Sequence, residues 1–258
     1  MKGLIRMAIE VFNRYENKYF MNDAALDRVL AEIEQHMIPD KFNKNRRTYS
    51  ISNIYFDTPD DYLIRNSLSK PKYKEKLRLR AYGVPDKNDL AFLEMKKKFN
   101  GLVNKRRTNI RIQEGYKFVA NGGIVSLSEE MNPQVVREIA SMIQRYGSLE
   151  PKVMIAYDRL AYFEKGNPDL RVSFDTNIRS RRDNLRLENG NDGALLVPQG
   201  QWLMEIKTAS AVPLWLTNLL AEEEIYKTSF SKYGHEFKDH VHQNTSRFRR
   251  VDSSVFPA

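Results

Sequence analysis

Basic residues recur at every second position in several short stretches of this chain. Lys76, Arg78 and Arg80 alternate with Leu77, Leu79 and Ala81. Glu94, Lys96 and Lys98 share one parity, as do Lys105, Arg107 and Arg111. The pattern returns in Tyr157 and Arg159, in Arg171, Ser173 and Asp175, and in Glu205 and Lys207. Alternate residues of an extended chain point to opposite faces, so each stretch gathers its charges on one side. A single face of this kind is ordinarily solvated surface. Solvated faces, however, mix signs and include Thr, Ser and Gln, whereas these are mostly cationic on stretch after stretch. If they converge inside a barrel, two like charges about 6 Å apart at an effective dielectric of about 20 repel by roughly 3 kcal/mol. Carboxylates, counter-ions or a bound polyanion must offset that. The pattern therefore implies an anion site rather than a set of solvated strands.

The elements that would position these residues are legible from periodicity. Strand-like alternation runs over Asn13–Phe20, Thr48–Asp57, Lys76–Tyr82, Ala91–Lys98, Val103–Gln113, Lys152–Phe163, Arg171–Ile178 and Gln201–Thr208. Helical spacing places Leu26, Val29, Leu30, Ile33 and Met37 on one face of Asp23–Met37, with Asn22 or Asp23 as cap. Pro133–Tyr146 opens with Asn132 as cap and Pro133 at the first helical position. Shorter helices are predicted near Asp60–Asn66, Gly115–Asn121 and Pro213–Tyr226. The Asn-, Asp- and Gly-rich stretch Asp183–Gly200 reads as a long hairpin connection. Many strands with a few interspersed helices predict an α+β fold dominated by antiparallel sheet.

Composition sets the frame for this reading. Of 258 residues, 41% are hydrophobic, enough for a true core, and the net charge of +9 suits nucleic acid, an anionic membrane surface or a phosphorylated small molecule. A nucleic-acid binder would show its cations on an exposed arm with stacking aromatics; here they belong to strand faces. The absence of cysteine excludes disulfides and thiolate metal sites. No apolar run approaches 18 residues, and Met1–Phe12 has no signal-peptide core, so a cytoplasmic location is expected.

The motifs RYENKYF, IYFDTPD, KLRLRAYG, FLEMKKKFNGLVNKRR, YDRLAYF, RVSFDTNIR, LMEIK and SFSKY, in this order, resemble the CYTH, or triphosphate tunnel metalloenzyme, superfamily. Within it the chain is most similar to the polyphosphate polymerase domain of the vacuolar transporter chaperone (VTC) proteins and their bacterial relatives. The likeness spans roughly 11–247 of what is expected to be a single domain, 1–258. It implies a closed antiparallel eight-stranded β-barrel with flanking helices, open at both ends. Lys18 then matches the first-strand lysine, and Arg78 and Arg80 the paired arginines that grip phosphate. Lys96 and Lys105 match the next two basic positions, with Arg106 or Arg107 as alternatives for the second. Tyr157 and Arg159 match a Tyr-x-Arg motif, and Arg171 a later basic residue. Glu205 matches a metal-binding carboxylate, and Ser231 and Lys232 match a late Ser-Lys pair that contacts the phosphate chain.

One departure stands out. The superfamily signature Glu-x-Glu-x-Lys has Arg14 at its first position here, leaving Glu16 alone. That weakens a hydrolase reading and resembles the VTC branch. The resemblance implies transfer of the γ-phosphoryl group of ATP to a growing polyphosphate chain. Lys207 joins the neutralising lysines, and Lys98 and Arg107 the substrate contacts. Glu205, helped by Glu16, would hold Mn²⁺ or Mg²⁺, which favour oxygen ligands. A tripolyphosphatase or nucleoside triphosphatase, or a polyphosphate-binding module without turnover, fits the same lining. A membrane partner for the product is compatible with it, and the oligomeric state is left open. Glu94 reads as a salt-bridge partner that orients lysines, with metal ligation as the alternative, and Asp57 as a turn former. His240-x-His242 reads as part of a basic C-terminal tail, and Arg179–Arg182 as a solvated patch.

Overall fold

A computed structural model describes residues 12–252. The chain runs β1 (Phe12–Asn22), α1 (Asp23–His36), β2 (Met37–Pro39), β3 (Tyr49–Asp57), α2 (Tyr62–Leu68), β4 (Tyr73–Tyr82), β5 (Leu90–Phe99), β6 (Leu102–Arg111) and α3 (Ile112–Ala120). It continues through α4 (Pro133–Tyr146), β7 (Glu150–Glu164), β8 (Asn167–Arg181), β9 (Ala194–Leu195), β10 (Gln201–Thr208), α5 (Leu214–Glu222), β11 (Lys227–Thr228) and α6 (Lys232–Asp252). All eight stretches expected as strands form strands; β2, β9 and β11 are additional and short. The N-terminal stretch 1–11 and the side chain of Arg14 lie outside the described part of the structure.

The strands pair antiparallel in the order β2-β7-β3-β4-β5-β6-β1-β10-β8-β9, with β11 on β1. β7 pairs with β8 as well as with β3, over Met154–Glu164, so the sheet is strongly curled. The helices flank it.

Most of the apolar core lies on the outer side of this sheet. Leu77, Leu79, Ala81, Leu93, Met95 and Ile110 pack against Phe118 of α3 and Val135, Ile139, Met142 and Ile143 of α4. Each fully buried Val, Leu, Ile, Phe or Met side chain among these contributes about 1.5–3 kcal/mol relative to exposure. Gly115 lets α3 approach β4 closely: a Cβ there would stand 3.0 Å from a Leu79 methyl. A second outer cluster joins α1 and α5 to Val172, Phe174, Met204 and Ile206. Caps read from sequence form as expected, with Asn22 Oδ1 accepting from the Ala25 amide at 2.9 Å and Asn132 Oδ1 from Gln134 and Val135.

Two expectations are corrected. The β6 strand ends at Arg111, and α3 begins at Ile112, whose amide donates to the Asp89 carbonyl. The expected basic tail is the helix α6, because Tyr233 and Phe237 at i,i+4 bury against Ile51, Ile155, Ile178 and Leu203. A helix turns His240 and His242 to different faces.

Candidate functional site

The face of the sheet opposite the outer core surrounds a cavity of about 330 Å³. Side chains from β1, β3 to β8, β10 and the start of α6 line it; eleven of the nineteen are Lys or Arg and three are Glu. Strand alternation explains this. On β4 the residues between the buried leucines, Lys76, Arg78 and Arg80, face inward.

The wall made by β4, β5 and β6 is organised on one buried carboxylate. Glu94, 2% exposed, receives Arg78 Nε at 2.8 Å, lies 3.7 Å from Arg80 Nε, and pairs directly with Lys105 Nζ. Burial works against its charge, but Arg80, Lys105 and Arg78 outweigh burial and hold the carboxyl well below the usual range. Arg78 also donates to Tyr55 Oη at 2.9 Å; Arg80 donates to Asn53 Oδ1 at 2.8 Å and to Tyr157 Oη at 3.0 Å. Lys76 has no carboxylate partner among the described residues and donates to Ser231 Oγ at 3.0 Å. Burial first, then Lys96, Lys18, Lys74 and Arg78, pushes it down to about 7. Burial likewise brings Lys105 to about 7, with Glu94 opposing and Arg80 and Arg78 adding.

The wall made by β1, β10, β8 and the start of α6 is richer in carboxylate. Glu205 meets Lys207 Nζ at 2.6 Å, Lys18 Nζ at 3.2 Å, Arg159 at 3.7 Å and Lys232 at 3.8 Å. Glu16 meets Lys96 at 3.0 Å and Lys18 at 3.5 Å. Burial opposes both charges; the lysines, joined by Arg159 at Glu205, prevail and hold both carboxyls well below the ordinary range. Behind this wall Asp175, fully buried, takes both Arg159 donors at 2.6 and 2.8 Å and Lys232 at 2.6 Å. Between the walls, Tyr157 reports the net potential. Burial raises a phenol, yet Arg80 and Arg159 pull this one below its usual value.

Ser231 caps α6: its Oγ accepts from the Gly234 amide at 3.2 Å and from Lys76, which leaves its own O–H free to donate. Asp57 anchors α2 and α6, accepting from the Leu63 and Ile64 amides at 2.7 and 2.9 Å and from Tyr233 Oη at 3.0 Å.

The structure thus brings together Glu16, Lys18, Arg78, Arg80, Lys96, Lys105, Arg107, Tyr157, Arg159, Arg171, Glu205, Lys207, Ser231 and Lys232. Lys98 is the exception. Its partners in the sheet are Lys74 and Val103, one step nearer the β5–β6 hairpin than Lys96, and it lies beyond the lining. Arg106 turns outward to Glu138 of α4 at 3.3 Å, so Lys105 and Arg107 are the β6 contributions. Glu94 makes ion pairs with Arg78 and Lys105. The Arg179–Arg182 cluster is not a solvated patch: Arg179 meets Asp158, Arg181 the carbonyls of the 184–192 connection, and Arg182 both oxygens of Glu236. Sequence reasoning placed Lys76 and Asp175 in the alternating pattern without giving either a role, although they share parity with Arg78 and Arg171, and it named no site residue on the strand that carries Tyr55.

No group of three His, Asp or Glu side chains among the described residues makes a metal cage. Glu16 and Glu205 come from paired strands, with Lys18 opposite Glu205 and Glu16 opposite Lys207. Two carboxylates suit Mg²⁺ or Mn²⁺ only when phosphate oxygens and water complete the shell. Among the described residues no helix is long and apolar enough to cross a membrane.

Subunit 4 of the vacuolar transporter chaperone complex of Schizosaccharomyces pombe is 25% identical over 203 residues, covering 70% of this chain and 28% of that protein. The chain thus spans under a third of that relative's length. Two solved structures share the fold. A Bacillus halodurans protein (bh2851) with a provisional adenylate cyclase name superposes with a TM-score of 0.53 at 13% identity, over 86% of this chain and 96% of that one. HpAC1 from Hippeastrum, described with a dominant triphosphatase activity, gives 0.53 at 16% identity, over 87% and 93%. The profile of the VTC domain matches residues 13–240, which take in every residue lining the cavity, and the chain belongs to the VTC domain family.

Proposed function

We propose that this protein is an ATP-dependent polyphosphate polymerase and that its curled sheet works as a closed eight-stranded tunnel. The circuit of pairings β7-β3-β4-β5-β6-β1-β10-β8, with β8 back on β7, supports the tunnel. The observation that carries the reading is the charge imbalance: eleven cations against three carboxylates around one cavity. Among the described residues Lys76 stands without a carboxylate partner, and Arg171 Nε is buried without an acceptor. Buried donors ordinarily have acceptors; a chain of phosphates supplies them.

In the reaction, the bond from the γ-phosphorus to the β,γ-bridging oxygen breaks. A bond forms to a terminal oxygen of the acceptor chain, and ADP leaves. Such transfers need positioning and charge stabilisation more than a covalent nucleophile. Arg78, Arg80, Arg159 and Arg171 fix phosphate oxygens with planar forks. Lys18, Lys76, Lys96, Lys105, Lys207 and Lys232 neutralise the charge, and Ser231 donates its hydroxyl. When bound, a divalent ion at Glu205 and Glu16 supplies further neutralisation at phosphate oxygens. Membership of the VTC family and the likeness to a chaperone-complex subunit support an assembly with a membrane-borne acceptor of the product.

The test is incubation of the purified protein with ATP and Mn²⁺, products being separated by size and stained for polyphosphate. A ladder of long chains with matching ADP is expected. Orthophosphate without chains would make the protein a hydrolase, and tight triphosphate binding without either product would make it a binding module.

A further inference from the structure

One end of the cavity carries a cluster of aromatic rings that the proposed transfer does not use. Phe42, between β2 and β3, lies 5.6 Å from the Tyr49 ring and 5.8 Å from the Tyr82 ring, tilted only 21° from the latter. Tyr49 and Tyr82 are 5.8 Å apart, and Tyr82 meets Phe92 edge-on at 5.9 Å. These rings are not core: Phe42 is 52% exposed and Tyr82 42%. Nor does Phe42 sit on an unanchored loop. Its neighbour Asn43, 1% exposed, donates to the carbonyls of Arg47 and Arg159 and accepts from the Ala161 amide. A buried polar anchor therefore holds a phenyl ring out in water. Contiguous exposed apolar surface of this kind marks a binding site.

The cluster is continuous with the cavity. Tyr49 Oη is 3.5 Å from Arg171 Nη2, and the Arg107 guanidinium lies 4.8 Å from the centre of the Phe92 ring. Both arginines are in the lining. Along β4 the order is Lys76, Arg78, Arg80, Tyr82, so the rings stand at one end and the Lys76–Ser231 contact towards the other.

We infer that Phe42 and Tyr82 form a platform for the base of a nucleoside triphosphate, whose phosphates run inward past Arg107 and Arg171 toward Lys76. This rests on the proposed triphosphate-binding function and adds the orientation of the substrate. Stacking on aromatic faces tolerates any base, so GTP and ATP bind alike.

The test is calorimetric titration of the full chain with ATP, GTP and inorganic tripolyphosphate, for wild type, Phe42→Ala, Tyr82→Ala and Phe42→Trp. Each alanine variant is expected to bind ATP about tenfold more weakly, while Phe42→Trp retains wild-type ATP affinity. The loss is confined to the nucleotide, tripolyphosphate affinity shifting far less. Equal losses for ATP and tripolyphosphate, or no loss for either, would overturn the platform and leave the cavity assignment standing. A wild-type protein that binds neither ligand would overturn both.

Discussion

The β4–β6 wall of the cavity carries six cations and the wall of β1, β10, β8 and α6 four, and their carboxylates differ in the opposite sense. The first has Glu94 alone among Lys76, Arg78, Arg80, Lys96, Lys105 and Arg107. The second balances Lys18, Lys207, Arg171 and Lys232 with Glu16 and Glu205, and has Asp175 behind it. On the proposed reading, the first wall, where six cations share Glu94, stores repulsion that an incoming polyanion relieves and governs affinity. A wall with carboxylates would, on the same reading, share a divalent ion with that polyanion and govern turnover. The empty protein carries the cost of the first wall as lysines at about 7.

Removing a carboxylate from the second wall should separate the two roles most widely. Glu205→Gln keeps size while removing charge, and turnover with ATP is expected to fall at least about a hundredfold, the scale of losing one transition-state electrostatic partner. Affinity for tripolyphosphate should hold or rise, since a negative charge beside the anion is gone. Parallel loss of both would mean the walls are not specialised.

A smaller effect is expected on the first wall. Lys76→Met should weaken tripolyphosphate binding about fivefold, a modest charge-assisted hydrogen bond, yet raise the melting temperature of the empty protein by about 2–4 °C per kcal/mol of relieved strain. The sign of the pH dependence follows from the same residue. Its folded value near 7 lies below the ordinary lysine value of about 10.4. Between these limits the unfolded chain binds more protons, so stability of the empty protein rises with pH. Bound phosphate restores the charge, so affinity falls as pH climbs above about 7, and Lys76→Met should flatten that slope in a pH series of titrations. Lys18, Lys74, Lys96 and Arg78 face Lys76 and remain in the variant. The smallest effect belongs to Lys98→Ala, outside the lining, where affinity should change less than twofold.

The strand faces were readable because parity is a local property: knowing that Arg78 and Leu79 alternate assigns both the cavity and the outer core. What parity could not say is which carboxylate meets which cation. Asp175 is sixteen residues from Arg159, and their bidentate pairing depends on β7 lying beside β8. The end of the lining was equally hidden, since Lys98 has the same parity as Lys96 and differs only in distance from a hairpin. The helix α6 was masked by its charge. Its stripe is narrow, Tyr233 and Phe237, and what they pack against comes from β3, β7, β8 and β10.

The proposed function requires that the inward arginines of β4 hold a phosphate chain. Calorimetric titration of inorganic tripolyphosphate into the wild type and into Arg78→Ala and Arg80→Ala tests it directly. Each variant is expected to bind at least about tenfold more weakly, as losing charged hydrogen bonds implies. Wild-type affinity in both would contradict the assignment of the cavity.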